Sequence, residues 1–234
     1  MQALRLRLHQ HNAVYRNPIS SEIVESYPLV PPSTLLGLMA TLLRRELEKG
    51  SFNLAIQGTY GALMRDYQWY KKYNEQTGGY QSHRYPLLVH TLYDVNLLIH
   101  IVARNDSDLR SLLESFRHPP YFLYLGRAED IIKIEEANIV NIEKRKLDIS
   151  HLPYNAYVSA KEADSLKTRG VAYKLASYSK LVPLQIKKQT KLIRDFVWED
   201  LRYVERGAYV AESDVECWYD GENWLWWSLP NHPQ

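Results

Sequence analysis

Apolar and polar residues alternate where the chain begins. Leu4, Leu6 and Leu8 are separated by arginine residues, which is the period of a strand with one buried face and one polar face. Pro31 and Pro32 later force an extended approach to the next element. The sequence therefore predicts an opening strand and a break in the chain before the first helix.

The first helix is predicted from the spacing that follows. Ser33 suits an N-cap, and apolar residues recur at helical spacing from Leu35 to Leu47, until Gly50 closes the element. Strand character returns over residues 85–103, and a second helix capped by Asp106 or Ser107 runs through Phe116. We expect an α helix of about four turns in the first case and a shorter one in the second.

A further strand is predicted over residues 121–125, ending at Gly126, and an apolar pattern resumes after it. The order strand, helix, strand, strand, helix, strand is the split βαβ arrangement of an α+β, ferredoxin-like domain similar to the RNA-recognition (RRM) folds. Many unrelated proteins share that order. It predicts a fold class and leaves the function open.

Residues 60–84, between the first helix and the next strand, are too long and too aromatic for an ordinary connection. We expect a projecting β-hairpin over about residues 60–85, turning at Gly78 and Gly79. After residue 145 the pattern weakens. The predicted division is a ferredoxin-like domain over residues 1–145 and a small, mostly β domain over residues 146–234, which ends in a Trp-rich hairpin turning at Asp220 and Gly221.

Composition narrows the class of protein. The net charge of +2 hides a basic body and an acidic tail, since residues 195–234 hold 2 Lys and Arg against 9 Asp and Glu. A basic body suits a polyanion, although ordinary surface charge explains it too. Because the chain has a single cysteine and opens without an apolar leader, we expect an unprocessed cytoplasmic protein without a membrane anchor.

The sequence lacks the motifs that mark most enzyme classes. Neither phosphate-binding glycine loop is present, and no serine lies in a nucleophile elbow. The eight histidines form no helical ligand pair, and none lies at zinc spacing from Cys217. We therefore expect no cofactor, no metal site and no catalytic residues.

Two segments resemble a known family. The segment 26–40, SYPLVPPSTLLGLMA, closely resembles the amino-terminal signature of the fifth Cas protein family, and the segment 121–130, YFLYLGRAED, is similar to that family's strand and glycine turn. The two occur in the family's order, and the resemblance covers about residues 1–145. The residues after about 145 carry no signature of the family. The expectation of a type I-B-like subtype therefore rests on the general character of the sequence and not on a motif.

The resemblance implies a RAMP fold: a ferredoxin-like domain, a β-hairpin thumb inserted after the first helix, and a small carboxy-terminal domain. Family members hold the repeat-derived 5′ handle of the crRNA in a type I Cascade, beside the backbone subunit and the large subunit. They meet target DNA only through the assembled complex, where base pairing supplies specificity. The resemblance therefore implies a non-catalytic RNA-binding subunit in antiviral defence.

In one subtype the family member is itself the repeat endoribonuclease, with a Lys-His pair before the glycine turn. This chain has Arg117-His118 there, followed by two prolines, so we do not expect the nuclease site. The alternatives are a metal-independent repeat endoribonuclease using His83, His118 or a nearby tyrosine, and a RAMP subunit of a type III complex.

The candidate RNA-binding residues combine cations with flat rings, because unstacked bases lie on aromatic side chains while Lys and Arg neutralise phosphates. In the predicted hairpin they are Arg65, Tyr67, Trp69, Lys71, Lys72 and Arg84. The alternative is that Tyr and Trp occur there only because they favour strands. We expect at least one face of the hairpin to bind RNA.

Three further groups of candidates each have a structural alternative. Gly126 and Arg127 would hold a phosphate, or form a plain turn with an Arg127 to Glu129 or Asp130 pair. Ser33 and Thr34 would bind an anion at the helix start, or only cap the helix. The basic run containing Lys187 and Lys188 would line the RNA path or meet the large subunit, or simply be solvated. The last four tryptophans are expected to form a small core.

Overall fold

The computed structural model describes residues 1–20, 22–74, 78–186, 189–210 and 215–229, and for residues 72–74, 80–83, 186 and 189 it describes the backbone only. The elements are β1 (Gln2–Ala13), α1 (Pro32–Leu43), β2 (Phe52–Thr59), β3 (Ala62–Asn74), β4 (Gly79–Ala103), α2 (Asp106–Arg117), β5 (Lys133–Asn141), β6 (Glu143–Lys146), β7 (Asn155–Ser159), α3 (Ala160–Ser165), β8 (Val171–Ile186), β9 (Gln189–Val204), β10 (Glu216–Tyr219), β11 (Trp224–Leu225) and β12 (Trp227–Leu229).

The main layer is one antiparallel sheet. Among the described residues its strand order is β5-β1-β4-β2-β7-β9-β8, with β12 added to β2 and β3 added to β4. A smaller sheet has the order β11-β10-β6. The molecule is therefore mostly antiparallel β structure with few helices, and strands from both sides of residue 145 share the main sheet. The division into two domains at that residue stays a prediction.

The leucines of β1 pack as their alternation predicts. Leu4, Leu6 and Leu8 are buried together with residues of α1 and α2 such as Met39 and Phe116. The opposite face of the main sheet packs against the small sheet and α3. The main sheet thus lies between two layers, with α1 and α2 on one side and the small sheet with α3 on the other.

The first helix differs from its prediction at both ends. Pro31 occupies the N-cap, so Ser33 lies inside the first turn and is not the cap. The helix ends at Leu43 and does not reach Gly50. Arg44 adopts a left-handed conformation with φ of 54°, and the N–H groups of Arg44 and Arg45 donate back to the carbonyls of Thr41 and Ala40. Leu47 still packs on the core, from the loop.

A β-hairpin covers the long aromatic segment. β3 pairs antiparallel with the first part of β4 from Ala62↔Tyr93 to Asn74↔Gly79, and Gly78 in the turn has φ of 65°. A second hairpin, which the sequence did not predict, is formed by β8 and β9 from Val171↔Tyr203 to Ile186↔Gln189. The molecule therefore carries two long ribbons where one was expected.

Residues 121–125 do not form the predicted strand. Only Tyr124 makes an isolated bridge, to Ile131, and the two N–H bonds from Leu125 to Asp130 and from Ile132 to Leu123 close a tight loop. Leu123 and Leu125 nevertheless pack into the main core from this loop.

The carboxy-terminal hairpin was predicted correctly. β10 pairs with β11, and Trp224, Trp226 and Trp227 are buried while Trp218 is partly buried. Trp224 and Trp226 belong to one buried cluster and Trp218 and Trp227 to another, so the four rings contribute to two cores and not to a single one. A buried polar group ties this hairpin to the main sheet: Asp220 accepts from Arg5 Nη1 at 3.1 Å and lies 2.8 Å from Nε2 of the fully buried His100. In the described part of the chain no helix is long and apolar enough to cross a membrane.

Candidate nucleic-acid interface

One face of the β3–β4 hairpin carries alternating cations and rings. Arg65, Tyr67, Trp69 and Lys71 occupy every second position of β3 and therefore project from the same face. Tyr67 is 68% exposed and Trp69 is 70% exposed. Arg84 lies directly opposite Lys71 on β4, so both cations sit beside Trp69. We call these five residues the hairpin face; all of them were predicted as RNA-binding.

The other face of the hairpin holds the ribbon on the body. Tyr70 and Leu87 pack against a small buried cluster of Val14, Val24 and Val89. The N–H of Val24 donates to Leu88 O, and the N–H of His90 donates to Val24 O, both within 2.9 Å. Because these contacts fix the base of the ribbon, the hairpin face is presented at a defined angle. Large exposed rings on an anchored ribbon are uncommon unless they have a partner.

The glycine turn is shaped by a buried carboxylate. Gly126 has φ of 101°, and a Cβ there would lie 2.7 Å from Val14 O and 2.8 Å from Asp130 Oδ2. Asp130 is fully buried and accepts from the N–H groups of Val14 and Arg127, both at 2.9 Å, and from Asn12 Nδ2 at 3.1 Å. The turn needs glycine because both the backbone angle and the close approach of Val14 exclude a side chain.

Arg127 is engaged within the protein. Its guanidinium donates to both Asp130 oxygens at 2.9 and 3.2 Å, approaches Glu129 Oε1 at 3.2 Å, and donates to Gln68 Oε1 at 3.2 Å. Of the two interpretations of this residue, the structure shows the arginine-carboxylate turn. It adds a link to Gln68 on β3, across 59 residues of sequence. Arg127 therefore ties the turn to the base of the hairpin.

A cleft of about 810 Å³ opens between α1, the loop over residues 121–126 and the base of the β8–β9 hairpin. Three predicted residues, Ser33, Thr34 and Gly126, line it together. Arg194 also lines it, and its guanidinium makes no hydrogen bond or ion pair with another described residue. The volume suits a ligand the size of a nucleotide.

Sequence reasoning missed the aromatic residues of this cleft. Tyr121 and Tyr124 line it and are about half exposed, and the neighbouring Phe122 is 84% exposed. They were predicted only as part of a strand. The alternation of Tyr124 with the buried Leu123 and Leu125 could have identified Tyr124, whereas Tyr121 has the same parity as the two leucines and the pattern gives no signal for it.

Some of the predicted residues belong neither to the hairpin face nor to the cleft. The side chain of Lys72 and the residues Lys187 and Lys188 lie outside the described part of the chain, as does the side chain of His83. His118 is exposed at the end of α2, while the preceding Arg117 donates to Ala137 O and Asn138 Oδ1. Within the described residues, no cluster of three or more His, Cys, Asp or Glu could hold a metal ion.

Comparison with known proteins adds a family and a fold. A family model described as CRISPR-associated protein (Cas_Cas5) matches residues 3–190. No curated protein sequence matches the chain. A chain of a solved CRISPR RNA-guided surveillance complex superposes with a TM-score of 0.56 at 13% identity, covering 89% of this chain and 91% of that one.

Two other solved structures are more distant. A CRISPR protein from Archaeoglobus fulgidus has a TM-score of 0.44 at 14% identity, covering 96% of this chain and 98% of that one. A chain of the type III-B Cmr-beta complex bound to cognate target RNA has a TM-score of 0.44 at 12% identity, covering 90% and 86%. At such identities the surveillance-complex chain shows a shared fold and nothing finer.

Proposed function

This chain belongs to the CRISPR-associated Cas5 family, and from that premise we propose that it is a non-catalytic RNA-binding subunit of a type I CRISPR effector complex. In this proposal it holds the 5′ handle of the crRNA, beside the backbone subunit and the large subunit of Cascade in the cytoplasm. Target DNA meets it only through the assembled complex. A type I-B-like subtype is part of the same proposal.

The strand order supports a RAMP interpretation of the fold. The four strands β5-β1-β4-β2 are antiparallel, and α1 and α2 cover one of their faces. That is the arrangement of a ferredoxin-like domain, in which each helix connects two strands separated by a third. We infer that the β3–β4 hairpin is the thumb. It is inserted along the chain between β2 and the part of β4 that pairs with β1.

The observation that carries the proposal is the hairpin face. Two large rings, Tyr67 and Trp69, project between cations on an anchored ribbon. Stacking of a base on an aromatic ring is worth about 1–3 kcal/mol, and the neighbouring cations neutralise phosphates whatever the base. This chemistry suits an unpaired RNA segment. A duplex would hide its base faces and leave both rings exposed.

The cleft lies near the hairpin. Gly126 lines it, and the adjacent Arg127 contacts Gln68 on the hairpin, so the hairpin base and the cleft are neighbours. We infer that the handle runs from the hairpin face past Tyr121 and Tyr124 towards Arg194. Rings and cations would then accompany the RNA along its whole path.

The test is the double variant Tyr67→Ala with Trp69→Ala, measured against RNA of the repeat-derived handle. We expect affinity to fall by one to two orders of magnitude, since about 1.4 kcal/mol corresponds to tenfold. The melting temperature should stay at the wild-type value, because both rings are exposed. A matched control is Trp198→Ala with Tyr209→Ala, which removes an exposed ring of each type from other elements.

Wild-type RNA affinity of the double variant, or equal losses in the control, would contradict the proposal. The same RNA samples test the absence of catalysis. Incubation in EDTA should leave the repeat intact, whereas cleavage that is lost in His83→Ala or His118→Ala would favour the endoribonuclease alternative.

A further inference from the structure

The second hairpin, β8–β9, differs in chemistry from the first. Residues 179–195 contain no aromatic side chain, although they include six leucine, isoleucine or valine residues. Leu181 and Arg194 still line the cleft. Beyond them lies the distal arm, which we define as residues 182–185 of β8 and 190–193 of β9.

Both faces of the distal arm carry exposed aliphatic side chains. Leu192 is opposite Pro183 on one face, and Leu184 and Ile193 occupy the other. Leu192 is 66% exposed and Leu184 is 45% exposed. A ribbon with leucines on both faces cannot bury them against one flat surface. It has to enter a groove that contacts both faces.

The arm also lacks support from its own chain. Among the described residues, β7 reaches β9 only at Leu201–Val204, so along the distal arm neither strand pairs with a third. An isolated two-stranded ribbon is marginally stable in water. Exposed leucines on such a ribbon indicate a surface that becomes covered in an assembly.

Charge restricts what covers it. Lys191 lies on the same face as Leu184 and Ile193, and Lys180 lies at the near end of that face. Neither lysine makes an ion pair with a described residue, Asp195 opposite Lys180 included. A partner that buries the leucines must therefore meet two unpaired ammonium groups at the rim, where carboxylates are favourable.

We propose that the distal arm docks into an apolar groove edged by carboxylates on a neighbouring protein subunit. RNA is the weaker occupant, because aliphatic side chains offer bases no ring to stack on. A second copy of this chain is also weaker, because paired arms would bring lysines of equal charge together. The inference goes beyond RNA binding and depends on different residues.

The experiment uses the complex co-expressed with its crRNA and with the CRISPR-associated proteins encoded with it. Leu192 is replaced by photoreactive benzoylphenylalanine, and the purified complex is irradiated. We expect a crosslink to a different protein subunit, within a peptide that contains both apolar and acidic residues. A crosslink to RNA, to a second copy of this chain, or to no partner would overturn the proposal.

A variant pair gives an independent measurement. Leu184→Gln with Leu192→Gln should lower retention of the crosslinked subunit at least tenfold while the crRNA content stays unchanged. Gln185→Ala with Thr190→Ala changes exposed polar positions on the same arm and should retain the subunit as the wild type does. Lys180→Glu with Lys191→Glu reverses the charge while leaving the leucines in place, and it should also release the subunit.

Wild-type retention in both the glutamine and the glutamate variants would overturn the proposal. Loss of crRNA with the subunit retained would do so as well, because it would make the arm part of the RNA path. Failure of the RNA-binding proposal is visible separately, since it is measured on Tyr67 and Trp69.

Discussion

At the scale of single residues, Gly126 has no room for a side chain. Its φ of 101° and the 2.7 Å approach to Val14 O both oppose a Cβ. Strain of this kind costs about 1–2 kcal/mol before any clash is counted. Gly126→Ala should therefore lower the melting temperature by at least about 2 °C, at about 2–4 °C per kcal/mol for a chain of this size.

The control is Gly37→Ala, at an exposed position of α1 where a Cβ would meet nothing within 4 Å. Alanine favours a helix by about 0.5–1 kcal/mol over glycine, so this variant should melt at the wild-type temperature or above. If both variants melt alike, the account of the glycine turn is wrong.

Glu162 is a partly buried residue whose carboxyl charge is costly in its surroundings. Burial raises its pKa to about 8, although the N–H of Trp227 donates to it at 2.8 Å. The neighbouring Cys217 is also buried, and burial followed by the charge of Glu162 raises its thiol pKa to about 12. Because the folded protein binds the proton more tightly than the unfolded chain, stability should fall as pH rises from about 4.5 towards about 8.

Glu162→Gln keeps an acceptor for Trp227 and removes the titration. We expect the free energy of unfolding of the wild type, measured in urea, to decrease between about pH 5 and about pH 8. In the variant the decrease should be smaller, because the contribution from the titration of Glu162 is absent. Identical pH profiles for the two proteins would show that Glu162 titrates normally.

The sequence alone predicts which side chains share a face of the hairpin, but it does not predict the contact between Arg127 and Gln68. Tyr67, Trp69 and Lys71 alternate along β3, so their common face follows from the strand period alone. The contact between Arg127 and Gln68 joins residues 59 positions apart. Only the folded chain brings them together, and local spacing offers no signal for it.

At the scale of elements, Arg127 acts as the link between the glycine turn and the hairpin. Arg127→Ala should weaken handle binding by displacing the hairpin face while the salt dependence of binding stays unchanged. Lys71→Ala, on the hairpin face, should instead lower the slope of log K against log salt by about 0.7 for a single strand. Binding titrations at several salt concentrations measure both. A reduced slope for Arg127→Ala would make it a phosphate contact.

The elements that the sequence missed have physical reasons. β2 is buried over nearly its whole length, and polar residues such as Gln57 interrupt its apolar pattern while bonding to Trp224 O. The outer parts of β8 and β9 form a ribbon with exposed side chains on both faces, so no inward and outward alternation marks them there. The end of α1 was predicted too late because Leu47 continues the helical spacing from a loop.

At the scale of the whole molecule, the sheet joins distant parts of the chain. β1 lies between β5 and β4, and β12 returns to β2. The buried Arg5, His100 and Asp220 connect the first strand, the central strand and the last hairpin. Such long-range order was predictable only for the first 145 residues, where strands and helices alternate. The result is a body built on one sheet that carries two ribbons of different chemistry, one aromatic and one aliphatic.

The central claim is that the aromatic ribbon contacts the 5′ segment of the crRNA. The most direct measurement is ultraviolet crosslinking of the purified crRNA complex, followed by mass spectrometry of the peptides joined to RNA. The account predicts crosslinks at Tyr67 or Trp69 to nucleotides of the repeat-derived 5′ handle. Crosslinks of this chain confined to other surfaces, or of the hairpin face to the 3′ end of the RNA, would contradict it.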